Sequence, residues 1–302
     1  MTSGTNVFAA QYVAIQNKAE SLMGTGSGTL GYGQTVQSSD VFSGNTITKA
    51  QWDLIKYDII NIKLHQDGNL PPVVNVQVGD AIGYGASSPN TNYDLLLNDA
   101  IAKRFQIAGS QSVVSSKASQ TYSTPWSVQA QATLTVTFAT ADEGRYFFNS
   151  GGKIRFTSSL VGGSVTPQIT AWINFLNAIG TRSFGADTDP AINYYTLTNS
   201  YQTYYQNFLS SSYSANSYKL EARCNVSNNS TGTATQLELR VTLLDSYVDP
   251  DVASGASFPP TDVVSGTLTI AVSELKASGQ LQPSGTFSIT SPTYSLSSIV
   301  AS

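Results

Sequence analysis

Residues 128–138 alternate without a break: Val128, Ala130, Ala132, Leu134, Val136 and Phe138 fall on one side, and Gln129, Gln131, Thr133, Thr135 and Thr137 on the other. Successive side chains of an extended strand point to opposite faces, so the pattern predicts a half-buried β-strand. Alternation stops at Thr140. Thr140 and Glu143 have the spacing of a helix capping box ahead of residues 146–148, and Asn149-Ser150-Gly151-Gly152 supplies the stop, with at least one glycine expected at positive φ. Ile154, Phe156, Ser158 and Leu160 then resume the alternation. The segment therefore reads strand, short helix, strand, with Asn149, Gly151 and Gly152 as its structural turn.

The same reading extends to both ends. Residues 218–226, 237–243, 268–272 and 286–290 also alternate, separated by Gly, Ser and Asn. At least six short strands with such punctuation predict a mainly β protein, an antiparallel β-sandwich-like domain over residues 121–302. Within it, Thr166-Pro167 opens a helix and Gly180 closes it. Trp172, Phe175, Leu176 and Ile179 lie at i, i+3, i+4 and i+7, a face expected to cover one end or edge of the sheets.

Helical periods dominate the amino-terminal side. Phe8, Tyr12, Ile15, Ala19 and Leu22, spaced 4, 3, 4 and 3, predict a helix over 7–23 that Gly24 ends. A Gly/Ser/Thr loop follows to residue 45, of a length that usually means function, partner contact or disorder. Thr48 and Gln51 then form a capping box ahead of Trp52, Ile55, Ile59 and Ile62. Two short helices with narrow seams bury little alone, so they either pair with each other or, as is favoured here, dock on neighbouring subunits. Residues 1–70 are therefore expected to be a helical docking region, with Tyr12, Ile15, Trp52, Ile55 and Ile59 as its assembly contacts. Residues 71–120 read as a brief strand at Val74, Val76 and Val78, a helix carrying Tyr93, Leu97 and Ala100, and a Ser-rich linker.

Composition narrows the function. Charged residues are 11% of the 302, against roughly 25% in an average soluble protein. Hydrophobic residues are 40%, yet no apolar run reaches the ~18 residues of a membrane span. The polar surface is thus built of neutral hydrogen-bonding side chains, which suits packing among identical copies or contact with sugars. A net charge of −4 without a Lys/Arg cluster argues against nucleic-acid binding, and the amino terminus lacks the pattern of a secretory signal. The single Cys224 lies on the apolar face of the run 218–226, as a buried, inert thiol would.

No constellation for catalysis stands out. His65, the one histidine, is expected at the surface or a subunit contact, and no nucleophile elbow, phosphate loop or metal motif is present. No catalytic, cofactor-binding or metal-binding residue is assigned. Asp187 with Asp189, and Asp245, Asp249 and Asp251, read as turn residues that bond their own backbone. The passage 192–218 concentrates Tyr194, Tyr195, Tyr201, Tyr204, Tyr205 and Tyr213 beside Asn and Gln. Alternation predicts that half of these rings face a core and the rest a subunit, with Tyr204 and Tyr205 as the candidates for stacking on a glycan.

The string YFFNSGGKIRF at residues 146–156 resembles a block of the virion structural proteins of tailed bacteriophages, notably those of cyanobacteria, where it follows a long strand. GYGQTVQSSDV, ITKAQWDLIKYDI and KLHQDG within residues 31–68, and GTLTIAVSELKASG at 266–279, resemble the same proteins. The resemblance implies a non-enzymatic virion component made in the bacterial cytoplasm, a tail, baseplate or fibre-attachment protein that contacts other virion proteins and copies of itself. A host carbohydrate-binding adhesin and a head or neck decoration protein are the alternatives.

Overall fold

The structure, a computed structural model, describes residues 9–42, 45–78, 89–163, 166–247 and 263–302. Phe8, Asp249 and Asp251 lie outside the described residues. The helices are α1 (Ala9–Met23), α2 (Lys49–Asp67), α3 (Pro89–Ala102), α4 (Ala141–Asn149) and α5 (Pro167–Ile179). The strands are β1 (Ser112–Tyr122), β2 (Gln129–Thr137), β3 (Lys153–Val161), β4 (Thr181–Phe184), β5 (Gln202–Phe208), β6 (Ser217–Cys224), β7 (Gln236–Leu244), β8 (Thr267–Gln280), β9 (Thr286–Ser288), β10 (Thr293–Leu296) and β11 (Val300–Ala301).

The strands form two antiparallel sheets. One has the order β1-β8-β3-β4 with β9 on β8; the other has β10-β2-β7-β6-β5 with β11 on β2. The fold is mainly β, as the alternation predicts. In β2 the pattern is literal: Ala130, Ala132, Leu134 and Val136 are buried and pair with Leu243, Val241, Leu239 and Leu237. The facing sheet offers Phe156 opposite Val272 and Leu160 opposite Leu268. Val128 is the exception. It precedes the strand and is 53% exposed.

Polar links also tie sheet to sheet. Ser158 and Tyr218 hydroxyls meet at 3.2 Å in the buried interior. Near the β1 edge, Glu274 is fully buried and accepts from the Tyr294 hydroxyl at 2.7 Å and Ser291 Oγ at 2.9 Å, with Lys117 Nζ at 3.2 Å. Burial first, and the adjacent carboxylate second, push the Tyr294 pKa up. A buried carboxylate needs such partners, because an unpaired charge there would be far more costly than a neutral group.

Helix α4 carries the chain from β2 in one sheet to β3 in the other. Thr140 caps it by accepting from Glu143 N at 3.1 Å. The Glu143 carboxylate reaches back to Ala139 N instead of Thr140 N, so the box is displaced by one residue. Phe147 and Phe148, 5.0 Å apart and edge to face, pack on Phe138, and Phe148 stacks on Tyr194 at 4.2 Å.

Three expectations need correction. Residues 112–122 are no linker: they form β1, paired with β8 over ten positions with a register shift between Ser116 and Ala118. The Val74-Val76-Val78 run forms no strand. It is held by α3, since Val74 N donates to Asn92 Oδ1 at 3.0 Å and Val74 O accepts from the Tyr93 hydroxyl at 2.9 Å. Finally, the amino-terminal helices do not stand apart with an open seam. With Tyr93, Leu97 and Ala100 of α3 as a third wall, α1 and α2 close on one another.

Candidate functional site

The five expected docking side chains are all used inside that three-helix unit. Tyr12, Trp52, Ile55 and Ile59 are at most 1% exposed and Ile15 is 4% exposed. Tyr12 meets Trp52 edge to face at 5.4 Å, and Trp52 meets Tyr93 at 5.6 Å. Two narrow seams would be only marginally stable together; the third helix supplies the missing surface. These residues build the unit, and its outer face is made of other side chains.

What the structure brings together is a joint between the helical unit and the sheets. The Asn149 amide, fully buried, donates to the carbonyls of Gly28, Leu30 and Gly31 at 3.2, 3.0 and 3.2 Å. The Tyr195 hydroxyl lies within hydrogen-bonding distance of both Asn149 Oδ1 and the Gly28 carbonyl. Arg145 donates to the carbonyls of Thr25 at 2.7 Å and Leu30 at 3.3 Å and pairs with Asp142. The Gly/Ser/Thr loop is in this way fastened to α4 within the chain. Gly31 makes the approach possible: its φ is +98°, and a Cβ there would sit 2.2 Å from the Thr25 oxygen.

The other side of the joint uses side-chain amides as stand-ins for a strand. Gln34 donates to Ser288 O at 3.0 Å and accepts from Ser288 N at 3.2 Å. Asn61 does the same with Gln282, at 3.0 and 2.6 Å. An amide side chain has the donor and acceptor of a peptide group, so each pair closes as two strand residues would. His65 belongs here too. It is 2% exposed, between Tyr32 and Phe287, and so is neither a surface residue nor a subunit contact. Its position follows from the helical period: it lies three residues beyond Ile62, on the buried face of α2.

The NSGG turn behaves as its sequence predicts. Gly151 has φ +82° and Gly152 does not need positive φ, but a Cβ on Gly152 would lie 2.4 Å from Phe147 O. Ser150 is buried and donates to Phe147 O at 3.1 Å.

The tyrosines divide differently from the glycan expectation. The Tyr204 ring packs on Phe184 at 5.0 Å, and its hydroxyl is enclosed without a hydrogen-bond partner; burial raises its pKa well above the ordinary value. Tyr205 lies over the Arg182 guanidinium, 4.3 Å from the ring centre. The pair therefore does not form a stacking surface. A register shift between Thr203 and Tyr205 in β5 turns Tyr204 inward, which strict alternation does not reveal. Tyr201 has the Arg223 and Arg240 guanidinium groups 4.5 and 3.9 Å from its ring centre and donates to Glu238 at 2.9 Å. Farther along, Asn207, Phe208 and Tyr213 line a cleft against α5.

The remaining candidates have local partners. Cys224 is 4% exposed with its pKa raised by burial. Asp189 bonds its own turn as expected, accepting from Ala191 N at 2.6 Å, whereas Asp187 pairs with Lys153 at 2.8 Å and Asp245 accepts from the Gln168 side chain at 2.8 Å. Among the described residues no three His, Cys, Asp or Glu side chains converge as a metal site would require, and no helix is long and apolar enough to cross a membrane. No family model, curated protein or solved structure matches the chain.

Proposed function

We propose that the chain is a non-enzymatic structural protein of a tailed-phage virion, a tail, baseplate or fibre-attachment component that works through contacts with other virion proteins and with copies of itself. The observation that carries this reading is spatial. The three stretches that resemble phage virion proteins are far apart in sequence yet meet at one joint: the 146–156 string binds the carbonyl of Gly31 through Asn149 and supplies β3, which pairs with β8 from the 266–279 string. The resemblance thus covers one working unit of the fold, the unit that fixes helices to sheets.

A body of two sheets with a rigidly attached helical unit suits a part that transmits load and position without moving. Its neutral, hydroxyl-rich surface makes contacts that depend little on salt. The test is labelling of purified tailed-phage particles with antibody against the recombinant protein, viewed by electron microscopy. Label at one fixed site on every particle is the expected result; particles free of label, with the protein left in the lysate, would refute the proposal.

A further inference from the structure

The outward side of α5 and the end of the β5 edge enclose a cleft of about 980 Å³ among the described residues. We propose that this cleft binds a neutral polysaccharide chain, with Phe175, Phe208 and Tyr213 as stacking platforms and Asn174 and Asn207 as hydrogen-bonding groups. The inference goes beyond the virion assignment and does not depend on it.

The lining argues for sugar in three ways. A pyranose ring has apolar C–H faces and a rim of hydroxyls, so its site needs flat apolar surfaces beside groups that both donate and accept. Here three aromatic rings stand among two amides and the hydroxyls of Thr170 and Ser212, and none of the described lining residues is charged. Two of the rings are also held in place. Phe175 packs edge to face on the buried Trp172 at 5.8 Å, and Tyr213 on Tyr247 at 4.8 Å. A platform already fixed loses little freedom when a ligand lands on it.

The polar groups are available. Asn174 is exposed and makes no hydrogen bond among the described residues, while Asn207 uses only its Oδ1, on Phe208 N, leaving Nδ2 free. Phe208 is 54% exposed. The size favours a chain over a single sugar, since ligand sites run from about 300 to 1,000 Å³ and one monosaccharide would leave this cleft largely empty.

The test is affinity electrophoresis of the full chain in gels containing dextran, galactomannan, xyloglucan or mixed-linkage β-glucan, with polygalacturonate as the anionic comparison. Retardation is expected in at least one neutral gel. Phe208→Ala and Asn174→Ala, both at exposed positions, should each weaken it roughly three- to tenfold, the range implied by losing one such contact, with unchanged melting temperature. No retardation in any of the four neutral gels, retardation that both variants retain, or stronger retardation by polygalacturonate would each overturn the proposal. Concentration-dependent self-association abolished by Phe208→Ala, without retardation, would assign the cleft to a contact between copies instead.

Discussion

The imidazole of His65 lies flat on the phenyl ring of Phe287, with ring centres 4.2 Å apart and planes 5° apart. This stack joins α2 to β9 in a place closed to water. Burial is the main reason that the imidazole pKa falls to about 3, against a smaller opposing pull from the Ser150 backbone.

An acid-dependent loss of stability follows. The unfolded chain takes up a proton at His65 near pH 6.5, the ordinary histidine value, and the folded protein does not until about pH 3. Between those limits the unfolded state binds more protons, so this group removes about 1.4 kcal/mol of stability for each unit by which the pH is lowered. Above pH 6.5 the group contributes no pH dependence. His65→Phe keeps a flat ring and removes the titration, so urea midpoints at pH 7 and pH 4.5 should move less in the variant. Equal movement in both proteins would show that other groups set the acid response.

Gly151 and Gly152 should not tolerate Val. The first would place a β-branched residue at positive φ against Ile107, and the second would drive a methyl group into Phe147 O. The double variant is expected to be insoluble or to lose several kcal/mol, because a register shift would expose Ile154, Phe156 and Leu160 at roughly 1.5–3 kcal/mol each. Ser150→Ala removes one buried hydrogen bond and should lose about 1 kcal/mol. Chemical denaturation distinguishes the two effects.

Removing residues 1–70 should not release an intact β body. The cut would leave the Asn149 and Arg145 donors without their loop carbonyls, and Phe287 without His65 and Tyr32. Size-exclusion chromatography of the truncated chain is expected to show aggregate. A monodisperse, cooperatively melting fragment would mean that the joint adds nothing essential to the sheets.

Tyr204→Ala should destabilise far more than an exposed tyrosine would, by about 3 kcal/mol, since the ring fills space against Phe184. Thermal melting compared with Phe208→Ala, at an exposed position on the same strand, is the direct check.

The parts of the fold legible in sequence are those where one face is wet and the other dry. β2, β3, β6 and β7 announce themselves because apolar residues recur at every second position on their dry faces, even though Ser158, Glu221 and Thr242 are buried and Val161 is exposed. β1 is silent because it has no fully buried residue on either face, so its SVVSSKASQTY carries no alternation to read. The turn at Asn149 was legible as a stop, but its larger use was not: three carbonyls more than a hundred residues earlier converge on one amide, and composition records nothing of such an encounter. His65 and the five helix residues were placed outside for a related reason. A helical seam shows that a face is dry without showing what dries it, and here it is another part of the same chain.

The position of β8 sets a constraint on how the protein can be made. Synthesised more than a hundred residues after β3, it lies between β1 and β3, to which it is hydrogen-bonded over most of their lengths. A ribosome therefore extrudes β1 and β3 well before their common partner exists, and both edges wait unpaired while more than a hundred residues follow β3. Long-range pairing of this kind slows folding and leaves sticky intermediates. Messages that stop before residue 267 should consequently yield nascent chains that aggregate or are degraded, even though the helical unit they contain is already complete.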